Sequence, residues 1–163
     1  MVPVNIRIQT EPFDLGAETQ ALRAGRLEVG AIASFIGLCR DHHPGVCDSG
    51  HVQAMELEHY PGMTERAIAD MVRDAQSRWP LLGVTVIHRV GRLLPGDDIV
   101  LVLVASSHRA AAFAACEFLM DYLKTQAPFW KKETTPEGAR WVDARESDDA
   151  ALRRWGVASD NAA

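Results

Sequence analysis

The basic side chains that could do chemistry gather in and around one segment of the sequence, residues 106–133. Arginine suits a phosphate group through its planar fork, whereas lysine is a point charge that can act as acid, base or amine nucleophile once desolvated. A single surface lysine is usually only solvated, but here Phe129 and Trp130 stand between the lysines. We therefore interpret the basic set as a site for a small anion. Its members are Arg40, His108, Arg109, Lys124, Lys131 and Lys132.

One helix must position most of these groups. Ser106 and Ser107 follow an apolar run and are good N-caps, because their hydroxyls can accept from the unpaired amides of a first helical turn. We predict a helix over 108–124 that ends before Pro128, since the residue preceding a proline is pushed out of the helical region. Spacings of three and four give this helix one apolar face, formed by Phe113, Cys116, Met120 and Leu123.

The two ends of this helix carry different cations. His108 and Arg109 lie in the first turn, where the helix dipole favours an anion, so they are unfavourable there unless an anion binds. Lys124 lies in the last turn, roughly 24 Å away along the helix axis. One helix cannot place both ends in one small-molecule pocket. We therefore hypothesise a composite site in a homodimer, in which a second copy supplies one of the ends.

The composition excludes several classes of protein. The chain has 163 residues, 47% hydrophobic and 24% charged, which is ordinary for one domain with its own core. Its net charge of −5 argues against a general nucleic-acid binder. No apolar run is long enough to span a bilayer, and the first ten residues do not resemble a signal peptide. Cys39, Cys47 and Cys116 form no CxxC pair, so we expect reduced thiols in the cytoplasm.

The remaining pattern predicts an α+β fold with a mixed or antiparallel sheet, because strands and helices alternate without a regular βαβ order. Residues 98–105 predict a central strand that is apolar on both faces. Residues 28–39 predict a buried strand, in which Gly30 and Gly37 mark bulges or a close backbone approach. The other predicted strands cover 4–8, 52–60 and 84–90, and the other predicted helices cover 17–24, 63–79 and 147–155.

The end of the sequence adds a small subdomain. Turn residues at 136–138 lie between two short strand patterns, which predicts a β-hairpin. With packed helices and a sheet before this hairpin, we expect a single domain over 1–156 and a disordered tail over 157–163.

Two histidine-containing stretches lie outside the basic set. His88 and Arg89 are neighbours on a predicted strand, so their side chains point to opposite faces and cannot form one clamp. We interpret His88 as a structural histidine. Residues 41–51 are a loop by composition, and their spacing matches no tight zinc pattern, so we expect no metal. The candidate ligands in this loop are His42, His43, Cys47 and His51.

Several familiar catalytic motifs do not occur: GxGxxG at a helix start, GxxxxGK[ST], HExxH and GxSxG. At its basic residues, however, the chain resembles the large, catalytic subunit of molybdopterin synthase. The resemblance runs from the first strand to about Trp155, and several motifs in one order are more specific than any one of them. They are FIGLCR (35–40), LEHYPGM (57–63), RWP (78–80), VIHRVG (86–91), SSHRAAAF (106–113), DYLK (121–124), PFWKKE (128–133) and PEGARWV (136–142).

The resemblance implies an enzyme that inserts two sulfurs into a cyclic pyranopterin monophosphate and so makes the dithiolene of molybdopterin. The sulfur would arrive as a thiocarboxylate on the C-terminal Gly-Gly of a small ubiquitin-like subunit, whose tail enters a pocket of this chain. The resemblance also implies an α/β-hammerhead-like fold, no cofactor, and a central homodimer with one small subunit at each end. A site that draws on both large subunits agrees with the length of the helix.

The resemblance also implies roles for single residues. Lys124 and Lys131 would be the catalytic pair, which neutralises the thiocarboxylate, stabilises the charge that builds during attack and protonates the leaving oxygen. A transient amide or imine on a lysine stays open as an alternative. Phe35 and Met120 would be either the apolar wall of the pocket or plain core. Substrate binding would involve Leu38, Cys39, Arg40, His108, Arg109, Lys124, Lys131, Lys132 and Glu133, with Arg40, His108 and Arg109 as the phosphate and pterin clamp.

The sequence departs from the family pattern in two places. Leu38 and Cys39 stand where a basic residue and a non-cysteine apolar residue are expected, and the 41–51 loop is long. Cys39 next to Arg40 suggests a persulfide mechanism, but the family takes sulfur from its partner's tail and needs no thiol of its own.

Two other classes of protein stay open. One is a non-catalytic dimer that binds a phosphate ligand through the same cations without any chemistry at Lys124. The other is a scaffold that only docks a ubiquitin-like protein, which would tolerate the loss of His108 and Arg109.

Overall fold

The computed structural model describes residues 2–41, 52–142 and 146–157. These residues form eight strands and four helices, which alternate irregularly along the chain as the α+β prediction requires. In chain order the elements are β1 (Val4–Gln9), α1 (Leu15–Arg23), β2 (Ala31–Leu38), β3 (Ala54–His59), α2 (Met63–Arg78), β4 (Leu81–Arg89), β5 (Gly91–Leu93), β6 (Asp98–Ser106), α3 (Arg109–Gln126), β7 (Phe129–Thr135), β8 (Gly138–Val142) and α4 (Glu146–Arg153).

The first sheet is mixed and has the strand order β1-β4-β6-β2. β1 runs parallel to β4, and the other two pairs are antiparallel. β6 is central and buried on both faces, which confirms the prediction for 98–105. Val102 and Val104 face the larger core, which α2 and α3 cover, whereas Leu101 and Leu103 face a smaller core with Leu22 of α1.

The second sheet is antiparallel and has the order β5-β3-β7-β8. β7 and β8 form the predicted hairpin, paired from Thr135 with Gly138 outwards. The short strand β5 was not predicted. One face of this sheet closes over a small core of Cys39, Met55, Leu57 and Leu93. This sheet carries Lys131, Lys132 and Glu133, so its pleat decides which of them can share a pocket.

The prediction for the start of the long helix was wrong in detail. Ser106 is not a cap but the last residue of β6, where it pairs with Ala31 and its hydroxyl donates to the carbonyl of Pro80. His108 is the N-cap, and its side chain makes no capping hydrogen bond. Phe113 was also placed wrongly, because it is 67% exposed and Ala112 packs into the core instead. The other three residues of the predicted apolar face are buried.

The strand predicted over 28–39 lies at the edge of the first sheet, not in its interior. Among the residues that the structure describes, β2 pairs only with β6, and Phe35 and Leu38 are exposed. Both glycine predictions are confirmed. The register shifts at Gly37, and a Cβ on Gly30 would lie 2.1 Å from the carbonyl oxygen of Ser107, so no larger residue fits there.

α4 ends at Arg153, and Trp155 after it packs edge-to-face against Phe118 of α3 and against Trp79. The indole N–H of Trp155 also donates to Asp121 over 2.7 Å. The predicted tail, 157–163, lies outside the described residues after position 157. Within the described ranges, no helix is both long and apolar enough to cross a membrane.

Candidate functional site

Lys131 is oriented by a buried carboxylate. In β7, alternate side chains point to the same face of the sheet, so Lys131 and Glu133 lie side by side. The Lys131 ammonium lies 3.1 Å from Glu133 Oε1, and the two side chains are 32% and 2% exposed. A buried carboxylate next to a partly exposed ammonium restricts the orientation of the lysine side chain. The structure therefore brings Lys131 and Glu133 together on one face of β7.

The end of β2 lies against this pair. The Cys39 side chain is buried in the small core with Leu57, which is the β3 partner of Lys131 in the sheet. The Cys39 backbone is fixed in both directions, because its N–H donates to Asp97 and its carbonyl accepts from Gly96. Arg40 comes next and is exposed. Leu38, 52% exposed, follows the bulge and points outwards.

Burial raises the pKa of the Cys39 thiol, the nearby Lys131 ammonium opposes this, and the carboxylates of Asp97 and Glu133 add to the rise. The thiol therefore stays protonated near neutral pH and is a poor nucleophile. The buried Cys39 side chain cannot reach a ligand directly, so any contribution of this residue to substrate binding must come from its backbone. These properties argue against a persulfide on Cys39.

We therefore expect Cys39→Ala to keep sulfur transfer within about twofold of the wild-type rate, because no bond to sulfur is made at this residue. The variant should lose only about 1–2 kcal/mol of stability through the removed buried atom. A single-turnover assay and a denaturant titration measure the two quantities. A loss of activity beyond about 100-fold in a folded Cys39→Ala protein would restore the persulfide mechanism.

Lys124 precedes β7 in the chain, at the end of α3. It is exposed in the last turn of α3, where a cation also stabilises the helix end. The chain then turns through Ala127 and Pro128 into β7. The fully buried hydroxyl of Thr64 donates to the Pro128 carbonyl over 3.0 Å and thereby ties this turn to the start of α2. Both lysines are thus attached to one anchored turn.

Phe129 is the first residue of β7, between the two lysines in sequence, and is held by aromatic contacts. Its ring stacks on that of His88, with centroids 3.9 Å apart and planes 21° from parallel. The His59 ring is a second neighbour of Phe129, and the centroids of these two rings lie 6.5 Å apart. Phe129 and Lys131 point to the same face of β7, two residues and roughly 7 Å apart. The aromatic ring therefore connects the surroundings of Lys124 with those of Lys131.

Lys132 points away from this site. It occupies the opposite face of β7, where its ammonium lies 5.8 Å from the centre of the Trp141 ring. Trp141 is 60% exposed and is the β8 partner of Lys132. Within one chain, Lys132 therefore does not share the pocket of Lys131 and Glu133.

His108 and Arg109 are likewise not brought to the lysines. Both are exposed at the start of α3, and the length of that helix separates them from Lys124 of the same chain. Of the two residues predicted as an apolar wall, Met120 is buried in the larger core, while Phe35 is 39% exposed on the edge strand β2. The four candidate metal ligands of the 41–51 loop lie outside the described residues.

Sequence reasoning missed the residues that support the lysines. His88 was interpreted as structural, and its ring nitrogen Nδ1 does contact the carbonyl of Arg89 at 2.8 Å. Arg89 points the other way and donates to the carbonyls of Thr10 and Asp98. Nothing in the local pattern indicated that His88 would stack on Phe129. The only available signal was the occurrence of His59, Thr64 and His88 within or next to two of the matched motifs.

The chain is similar along most of its length to proteins of one family. The family model described as MoaE protein matches residues 8–126. The molybdopterin synthase catalytic subunit of Ralstonia nicotianae is 63% identical over 157 residues, which are 96% of this chain and 87% of that protein. Its counterpart from Escherichia coli is 56% identical over 155 residues, covering 95% and 100% of the two chains. The solved MoaE structure from Burkholderia ambifaria has a TM-score of 0.80 at 60% identity, covering 96% of this chain and 99% of that one.

Proposed function

Because the chain belongs to the MoaE family of molybdopterin synthase catalytic subunits, we propose that it transfers sulfur to a cyclic pyranopterin monophosphate. The donor is the C-terminal Gly-Gly thiocarboxylate of a small ubiquitin-like partner. In each transfer the thiocarboxylate sulfur forms a carbon–sulfur bond on the substrate as an oxygen leaves that carbon, and water then cleaves the bond between this sulfur and the tail, so that the tail departs as a carboxylate. Two transfers complete the dithiolene of molybdopterin. We place the reaction in the cytoplasm, where thiols such as those of Cys39 and Cys116 stay reduced.

The observation that carries this proposal is the division of cations between the two ends of α3. His108 and Arg109 are exposed at its start, and Lys124 is exposed at its end beside Phe129 and the Lys131–Glu133 pair. The two ends lie roughly 24 Å apart, so one pocket can use both only if a second copy supplies one of them. Phe113, exposed one turn after Arg109, is available for contact with that copy.

At the lysine end, Lys124 and Lys131 form the catalytic pair. Their ammonium groups neutralise the thiocarboxylate as it enters, and they stabilise the negative charge that builds on oxygen during the transfer. A lysine that is ordered by Glu133 costs less reorganisation at that moment than one that is free to rotate. One of the pair then protonates the leaving oxygen.

His108 and Arg109 at the start of α3 in the second copy join Arg40, which follows Cys39 beside the Lys131–Glu133 pair, to clamp the phosphate and the pterin. The first turn of α3 adds unpaired backbone N–H groups that favour an anion. Leu38 and the backbone of Cys39 lie beside Arg40 and shape this part of the site. Lys132 faces away from Lys131 of its own chain, so any contact of Lys132 with substrate depends on the assembly.

A single-turnover reconstitution tests the proposed function. The purified chain is mixed with the thiocarboxylated partner and the pyranopterin precursor, and the dithiolene product is measured after oxidation to its fluorescent form. The matched control uses the same partner with an ordinary C-terminal carboxylate. We expect product only with the thiocarboxylate. If the chain forms a stable complex with the partner but no product appears, the docking scaffold is favoured. Binding of the phosphate ligand without turnover would favour the regulatory dimer.

A further inference from the structure

The ring of His88 is held in one orientation and in one tautomer. One face of the ring stacks on Phe129 at 3.9 Å, and Nδ1 lies 2.8 Å from the Arg89 carbonyl oxygen. A carbonyl only accepts, so the proton of the neutral imidazole must be on Nδ1. Nε2 therefore carries a lone pair and can only accept a hydrogen bond.

Burial, aided by nearby positive charge, keeps His88 neutral. The pKa of His88 is lowered from 6.5 to about 4, mainly by burial and to a smaller extent by the charges of Lys124 on α3 and His59 on β3, while the hydrogen bond to the Arg89 carbonyl opposes the shift. At neutral pH the ring is an uncharged acceptor close to the Lys124 ammonium. With a pKa so far below neutrality, it is a poor general base.

From this geometry we infer that His88 is a positioning residue for Lys124, and that its Nε2 accepts a hydrogen bond from the Lys124 ammonium in the working enzyme. The inference rests on the proposed function of Lys124. The stack on Phe129 links the same ring to the turn that leads to Lys131, and Thr64 anchors that turn through the Pro128 carbonyl. A neutral acceptor orders a lysine without a full countercharge that would hold it away from the anionic tail.

A matched pair of variants separates the acceptor from the packing of the ring. In His88→Gln the side-chain amide reaches the position of Nε2, whereas in His88→Asn it reaches only the position of Nδ1. Both variants lose the stack on Phe129 equally. His88→Phe keeps a ring of similar size for the stack and loses both nitrogens.

We expect single-turnover rates to fall about tenfold in His88→Asn and His88→Phe, and to stay within about threefold of wild type in His88→Gln. The affinity for the pyranopterin precursor should not change, because the ring acts on Lys124 and not on the clamp. Wild-type rates in His88→Phe, or a His88→Asn rate equal to that of His88→Gln, would overturn the inference. If the wild-type chain itself makes no product, the proposed function fails instead.

A second readout does not need turnover. The chain has only three lysines, at positions 124, 131 and 132. Mass spectrometry after competitive acetylation can therefore assign the modification of Lys124 separately from that of the other two. An acceptor that stabilises the ammonium raises the pKa of Lys124 and slows its acetylation near neutrality. We expect acetylation of Lys124 to be about fivefold faster in His88→Asn than in His88→Gln. Equal rates in the two variants would contradict a hydrogen bond from Lys124 to His88.

Discussion

Lys124→Ala should reduce sulfur transfer by about 10³-fold or more while leaving the dimer folded. The side chain is exposed and lies at the end of α3, so it contributes little to the core. The lost interaction with the helix dipole costs only about 0.3–1 kcal/mol. The proposed chemistry, in contrast, loses a group that both neutralises the thiocarboxylate and stabilises the charge of the transition state.

Single-turnover product formation and thermal unfolding measure these two effects on the same preparation. Arg73→Ala is the matched control, because it also removes an exposed helical cation, one that pairs with Asp70 on the surface of α2. We expect Arg73→Ala to behave like wild type in both measurements. Near-normal turnover by a folded Lys124→Ala protein would refute the role of Lys124.

The effect of Lys131→Ala on activity is harder to interpret than that of Lys124→Ala. Its ammonium contacts a carboxylate that is almost fully buried. Its removal takes away a charged partner of Glu133, which costs about 1–3 kcal/mol. Lost activity would then mix lost chemistry with local rearrangement, and the Lys131→Ala, Glu133→Gln double variant is needed to separate the two.

The second large effect is complementation between inactive variants. Lys124→Ala and the His108→Ala, Arg109→Ala double variant should each be inactive as homodimers. In a mixed dimer, one of the two composite sites combines the unchanged Lys124 of one chain with the unchanged His108 and Arg109 of the other chain. After random exchange of equal amounts, half of the dimers are mixed, so about a quarter of the wild-type activity should return.

The control for this experiment mixes Lys124→Ala with Lys131→Ala. Both substitutions lie at the lysine end, so every site of the mixed dimer lacks one lysine and activity should not return. Native mass spectrometry establishes that subunits have exchanged. Failure of the first pair to recover activity, with mixed dimers present, would show that each site is built from a single chain.

Local patterns were sufficient for much of the fold. The apolar run of β6 predicted a central strand because a strand buried on both faces has no polar alternation, and Pro128 predicted the end of α3. The start of α3 was misjudged because a serine that can cap a helix can equally end a strand. The pairing of Ser106 across the sheet, which residues distant in sequence determine, settled this choice.

The candidate site was predictable in its residue types but not in its arrangement. The two-residue period of a strand already separates Lys132 from Lys131 and Glu133, but the sequence does not say which face is covered. The contact between His88 and Phe129 joins β4 to the first residue of β7, and no local periodicity encodes it. The burial of Glu133 likewise follows from the way the second sheet closes over Cys39 and Leu57.

The measurement that tests the central claim most directly follows the sulfur atoms. The partner's thiocarboxylate is labelled with ³⁴S, the chain itself carries natural sulfur, and the product of a single turnover is analysed by mass spectrometry. We predict that both sulfurs of the dithiolene carry the label. With Lys124→Ala we expect no detectable labelled product. A product that contains unlabelled sulfur, or a labelled product of normal yield from Lys124→Ala, would contradict transfer from the partner's tail at this site.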